Sequence, residues 1–159
     1  MNSNIIIGII TVIISIVLGI AIFTNYWSVH SQKITVGNKT ISTGSSAGLW
    51  QLCQNVGDSK NCVKYTESDK QSYFSQIFGV LGFALIVLGF IILIFNPKSY
   101  TFYSVIMIIG GLSSLLTAIN WASDKTVNTN DTVFGYSWYM ELIGSILSII
   151  LALYVKIKL

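Results

Sequence analysis

The chain has 159 residues, of which 53% are hydrophobic and only 9% charged, with a mean hydropathy of +0.71. Soluble domains carry about 25% charged residues, so this composition excludes an ordinary soluble protein, and its apolar content excludes a disordered one. The net charge is +3 and all nine basic residues are Lys, so the Arg forks and basic patches that read nucleic acid are absent and no nucleic-acid partner is expected.

Residues 5–24, IIIGIITVIISIVLGIAIFT, open the chain as an uncharged apolar run of about 20 residues. At ~1.5 Å rise per residue, a helix of that length crosses a ~30 Å hydrocarbon core. The run is longer than the ~7–15 residues of a signal-peptide core, has no basic residue before it and no small-residue cleavage site after it. It reads as an uncleaved span.

Residues 25–74 form a long polar loop with β character. Lys33-Ile34-Thr35-Val36 and Lys39-Thr40-Ile41-Ser42 flank Gly37-Asn38, a two-residue hairpin signal. Residues 47–53 and 62–66 read as further strands. The two cysteines of the chain, Cys53 and Cys62, flank a turn rich in Gly, Asn, Asp and Ser. An even count in a loop outside the cell implies a disulfide, and closing so short a loop is worth about 2–3 kcal/mol. Ser68-Asp69-Lys70-Gln71 fits a capping box that starts a helix running into the next span.

Three more apolar spans follow, at residues 75–95, 102–122 and 136–155, separated by loops at 96–101 and 123–135. Continuous runs mean helices, because an alternating pattern would be needed for a barrel. Lys98, Lys156 and Lys158 have no acid near them in sequence, whereas the six Lys of the long loops are nearly balanced by Asp58, Glu67, Asp69, Asp124 and Asp131. The positive-inside rule then places both termini in the cytoplasm and the long loops outside. The sequons at Asn38 and Asn130 both fall in those outer loops and are candidate N-glycosylation sites. Tyr26, Trp27, Trp121, Tyr136, Trp138 and Tyr139 mark the outer interface, and Tyr100, Tyr103 and Tyr154 the inner one.

Small residues recur at every fourth position: Thr11–Ser15–Gly19, Gly110–Ser114–Ala118 and Gly144–Ser148–Ala152, with Gly79, Gly82 and Gly89 on the second span. Such rows let backbones approach closely in a bilayer, and they predict a tight left-handed four-helix bundle; the alternative is that one row is a face for self-association. Glu141 is the ionisable residue within a span. It is expected to hydrogen-bond near the headgroups or cap a loop backbone, with Asn120 a candidate partner at similar depth.

Trp27, then Gly48-Leu49-Trp50, Cys53 and Cys62 follow a W…GLW-x2-C-x8-C pattern. This resembles the signature of the claudin superfamily, which includes claudins, peripheral myelin and epithelial membrane proteins, and four-span auxiliary subunits of calcium channels and glutamate receptors. Phe134-Gly135-Tyr136-Ser137-Trp138-Tyr139 is similar to the entry of the fourth span in the myelin and auxiliary-subunit branches. The resemblance implies a four-helix bundle carrying an antiparallel outer sheet of about five strands, with Cys53–Cys62 joining the third and fourth strands. It implies that Leu49 and Trp50 dock the sheet on the bundle mouth and that Trp27 tops the first span. The tail, Lys156-Ile157-Lys158-Leu159, is expected to be too short for the PDZ-domain ligand of junction-forming claudins. Lys70 stands where those claudins carry Arg, and the second outer loop has no proline.

Chemistry is not expected. Gly44-Ser45-Ser46-Ala47-Gly48 satisfies G-x-S-x-G, but in a β-rich loop rather than a strand–turn–helix. One His, His30, and a paired Cys make no metal cluster, and a lone Cys pair with eight residues between its members is not a C-x-x-C redox centre. The chain therefore reads as a non-enzymatic, cofactor-free, multi-pass protein of the plasma membrane. Its expected partners are the lipid bilayer and itself or another membrane protein, alongside it or on an opposing membrane. It would organise membrane or cell contacts, with Asp58, Glu67 and Asp69 on the rim of its outer sheet. The alternative is an auxiliary subunit that escorts or tunes a channel or receptor.

Overall fold

The computed structural model describes residues 3–36, 39–56, 59–65, 70–96, 98–123 and 132–158. In them are four helices, α1 (Ser3–Phe23), α2 (Lys70–Phe95), α3 (Tyr100–Ala122) and α4 (Tyr136–Lys158). Five strands accompany them: β1 (Ser28–Val36), β2 (Lys39–Ala47), β3 (Gln51–Val56), β4 (Ser59–Lys64) and β5 (Thr132–Phe134). Each helix is long and apolar enough to cross a membrane. Helix α2 starts at Lys70, within the segment expected to open it ahead of the span at 75, and α4 runs to Lys158, beyond the span expected to end at 155. Hydropathy marks the part of a helix that needs lipid, while the backbone stays helical beyond it to satisfy its own polar groups.

The helices close a ring in chain order, each packed against its sequence neighbours and α4 back onto α1. The small-residue rows lie at these contacts. A Cβ on Gly82 of α2 would sit 2.5 Å from Ser114 Oγ and 2.8 Å from the Gly110 carbonyl of α3. One on Gly111 would sit 2.8 Å from Ile149 and 3.0 Å from the Ser145 carbonyl of α4, and one on Gly144 would meet Leu18 of α1 at 2.7 Å. Backbones can come this close only where there is no side chain between them. Hydroxyl groups add bonds across the ring: Thr11 and Tyr103 share a 2.7 Å hydrogen bond between α1 and α3, and Ser148 donates to the Met107 carbonyl at 3.0 Å. Tyr103 is thus an interior residue, fully buried, and not the interfacial anchor its position in the span suggested.

The strands form one antiparallel sheet in the order β4-β3-β2-β1-β5. Strands β1 and β2 have nine residues each and pair end to end, from Ser28 opposite Ala47 to Val36 opposite Lys39. The expected strand through 47–53 is broken: residues 48–50 leave the sheet between β2 and β3. The fifth strand, β5, comes from the second outer loop, read in sequence as a plain connection, and pairs Phe134 with Ser28.

Candidate functional site

The full register of β1 against β2 has a consequence for the residues just outside it. Whatever precedes Ser28 must lie beside whatever follows Ala47, and the β1–β5 pairing brings the residue after Phe134 to the same place. Three separate segments, 25–27, 48–50 and 135–138, therefore meet where the sheet sits on the bundle. Backbone bonds fix them: Trp27 N–H to the Ala47 carbonyl at 2.9 Å, Gly135 N–H to the Trp27 carbonyl at 2.9 Å, and Ser137 N–H to the Tyr26 carbonyl at 3.2 Å.

Side chains then reach the helices. Trp27 is fully buried, packs edge-on to Trp121 of α3 at 5.6 Å, and donates its indole N–H to the Ala21 carbonyl of α1 at 2.7 Å. Trp50 stacks on Phe23 at 6.4 Å and donates to the Ile22 carbonyl at 2.8 Å. Trp138 stacks on Phe134 at 4.3 Å and donates to the Ala118 carbonyl of α3 at 2.9 Å. The last carbonyls of a helix lack intrahelical donors, and in a membrane protein they must find other partners. Two indoles supply them at the end of α1. Leu49, fully buried, points at Gly79 of α2, and its carbonyl accepts from the Gln76 side-chain amide at 2.6 Å. With Ile22 and Trp121, the Trp27 and Leu49 side chains make a second apolar core, separate from the one inside the bundle.

Two glycines make this closeness possible. A Cβ on Gly48 would lie 2.6 Å from Asn25 Cα and 2.8 Å from the Thr24 carbonyl, and one on Gly135 would run into the Tyr26 carbonyl. A disulfide joins Cys53 and Cys62, which face each other across β3 and β4. Cys53 is fully buried beside the Asn25 amide, at 4.0 Å from Nδ2.

The residues marked in sequence thus divide. Trp27, Gly48, Leu49, Trp50 and Cys53 gather at the junction, and Cys62 is bonded to Cys53 from the exposed edge strand β4. Asn38, Asn130, Asp58, Glu67 and Asp69 lie outside the described residues, as do Gly37 and the first half of the capping box. Glu141 neither caps a loop nor hydrogen-bonds near the headgroups: it is fully buried, and neither carboxyl oxygen has a hydrogen-bond partner. The hydroxyl of Ser114 on α3 is the polar group that faces its carboxyl. Asn120 instead donates to Ser75 Oγ of α2 at 2.9 Å. Trp27 and Trp121 are buried rather than set among headgroups. Sequence reasoning did not foresee the roles of Asn25, Gln76 and Gly135. For Gly135 a signal existed, since a Gly directly before a span and after two β-formers often marks a close backbone approach.

The G-x-S-x-G segment runs along β2, with Ser45 opposite His30 of β1, and ends at Gly48. No group of three His, Cys, Asp or Glu side chains converges among the described residues.

Comparison with curated protein sequences returns no match. Over residues 1–154 the sequence matches the family model described as PMP-22/EMP/MP20/Claudin. Matched along nearly its whole length, with four apolar helices under a five-stranded antiparallel sheet, the chain belongs to the PMP-22/EMP/MP20/Claudin family of four-span membrane proteins.

Proposed function

We propose that the chain organises membrane or cell contacts, using its sheet as an outward platform and its helices for association within the bilayer. The observation that carries this reading is strand β4. It forms one edge of the sheet and is exposed along its whole length, while the sheet behind it is pinned to the bundle by Trp27, Leu49 and Trp50 and the Cys53–Cys62 bridge ties β4 to that sheet. A rigid sheet edge offers unpaired backbone groups to a strand from another molecule. Val56 and Val63 add exposed apolar surface on β3 and β4.

The orientation follows from charge and redox chemistry. Lys98, Lys156 and Lys158 sit at the end of the bundle opposite the sheet, which favours a cytoplasmic location for that end and for both termini. A disulfide in the sheet suits an oxidising exterior, as at the plasma membrane. A second reading, an auxiliary subunit of a channel or receptor, draws on the apolar outer faces of α1 and α2, where Ile9, Ile13, Ile16, Val80, Leu88 and Ile91 are exposed.

Mild chemical crosslinking of the chain in membranes, followed by non-reducing mass analysis, tests both. The contact reading expects a ladder of multiples of one subunit, lost in Val63→Glu. A single larger hetero-complex and no ladder would replace it with the auxiliary-subunit reading.

A further inference from the structure

Between α1 and α4, at the end of the bundle away from the sheet, an open groove of about 600 Å³ faces the lipid. Its walls include Ile6, Ile10, Leu147, Ile150 and Tyr154, and Lys158 stands at its end. Tyr154 and Lys158 are four residues apart, so both lie on the same face of α4. We propose that this groove holds one acyl chain of a phospholipid with an anionic headgroup, bound at the headgroup by Lys158.

Length, wall chemistry and charge support that occupant. From Leu147 to Lys158 a helix rises about 16 Å, close to half of a ~30 Å hydrocarbon core. The groove thus matches one leaflet, with its lysine at headgroup level. Its walls are large branched side chains. Docking of another helix relies on small residues, and those of α4 (Gly144, Ser148 and Ala152) are buried inside the bundle. A flexible chain fits between Ile and Leu side chains where a second helix backbone does not. At the mouth, the last turn of α4 places Lys158. The only acidic side chain among the described residues, Glu141, is buried in the interior two turns nearer the sheet than Leu147. The lysine is therefore left to a ligand of opposite charge, and the Tyr154 hydroxyl supplies a neutral donor one turn deeper.

Native mass spectrometry of the detergent-purified full chain tests this, with phosphatidylserine, phosphatidylcholine and cholesterol added in separate titrations. One phosphatidylserine is expected to be retained per chain, about fivefold over phosphatidylcholine, the effect of a single lysine at an anionic surface. Lys158→Gln should bring the ratio to near one. Lys156→Gln, in the same turn but off the groove wall, should leave it unchanged. Ile150→Trp should lower retention of both phospholipids by filling the groove, with Leu147→Phe as the milder replacement should the tryptophan variant not fold. Equal retention of the two phospholipids, an equal loss in Lys156→Gln, full retention in the filled groove, or displacement of phosphatidylserine by cholesterol would each overturn the assignment.

Discussion

At Gly135 a methyl group in place of hydrogen would meet the Tyr26 carbonyl and the Val29 side chain together. The obstacle is backbone, which cannot rotate away, and the same carbonyl accepts the Ser137 N–H that starts α4. Gly135→Ala should therefore lower the unfolding temperature in detergent more than Gly8→Ala, whose Cβ would make only a 3.8 Å contact with Phe90. The indoles act at the same scale. Trp138→Phe keeps most of the stacking on Phe134 but removes the donor to Ala118, a loss of about 1 kcal/mol. Denaturant titration followed by the remaining tryptophan fluorescence measures it. Glu141 behaves differently, because the Ser114 hydroxyl beside its carboxyl can be met equally by an amide. Glu141→Gln keeps its shape and should leave the monodisperse yield after solubilisation unchanged. Glu141→Lys adds length and a charge to a filled interior and should cost about 3 kcal/mol, seen as aggregation on size-exclusion chromatography.

Among the elements, the β3–β4 hairpin and the α2–α3 pair are held by different physics. The hairpin lies at the edge of the sheet and is exposed over most of its length, so its main tie is the bridge at the Cys53–Cys62 pair. Replacing both cysteines by serine should destabilise it by about 2–3 kcal/mol, with the helices unaffected. Faster hydrogen exchange confined to residues 51–64 is the expected signature. The α2–α3 pair is held by contact between backbones at Gly82 and Gly110. Gly82→Leu would wedge the helices apart, whereas Leu81→Ala, one residue away on the exposed face, should be nearly silent. A cysteine pair placed across the two helices would report the separation by its loss of crosslinking.

For the whole molecule, the architecture is a sheet and a bundle made one body by a shared apolar junction. The sequence by itself determined the four spans, because lipid requires a continuous apolar helix and that requirement is written locally in every residue of the run. It also determined the β1–β2 hairpin, through Gly37-Asn38 and the β-formers around it, and the disulfide, through two cysteines in one outer loop. The tertiary structure alone decided what those elements do together. Residues 48–50 read as strand by propensity, yet they turn out of the sheet because Leu49 and Trp50 gain more from α2 and α1 than from pairing. Residues 132–134 are too few to read as a strand, and form one because β1 presents a free edge beside them. Trp27 and Trp121 read as headgroup anchors, since sequence records that a tryptophan is near an interface but not that a sheet covers it. Asn120 and Glu141 sit at similar depth in sequence, but the rotation of α3 and α4 about their axes turns one to Ser75 and the other into the interior. Span and depth depend on local composition, which a sequence carries. Facing and closeness depend on which helix or strand lies opposite, and that is fixed only when all of them have packed.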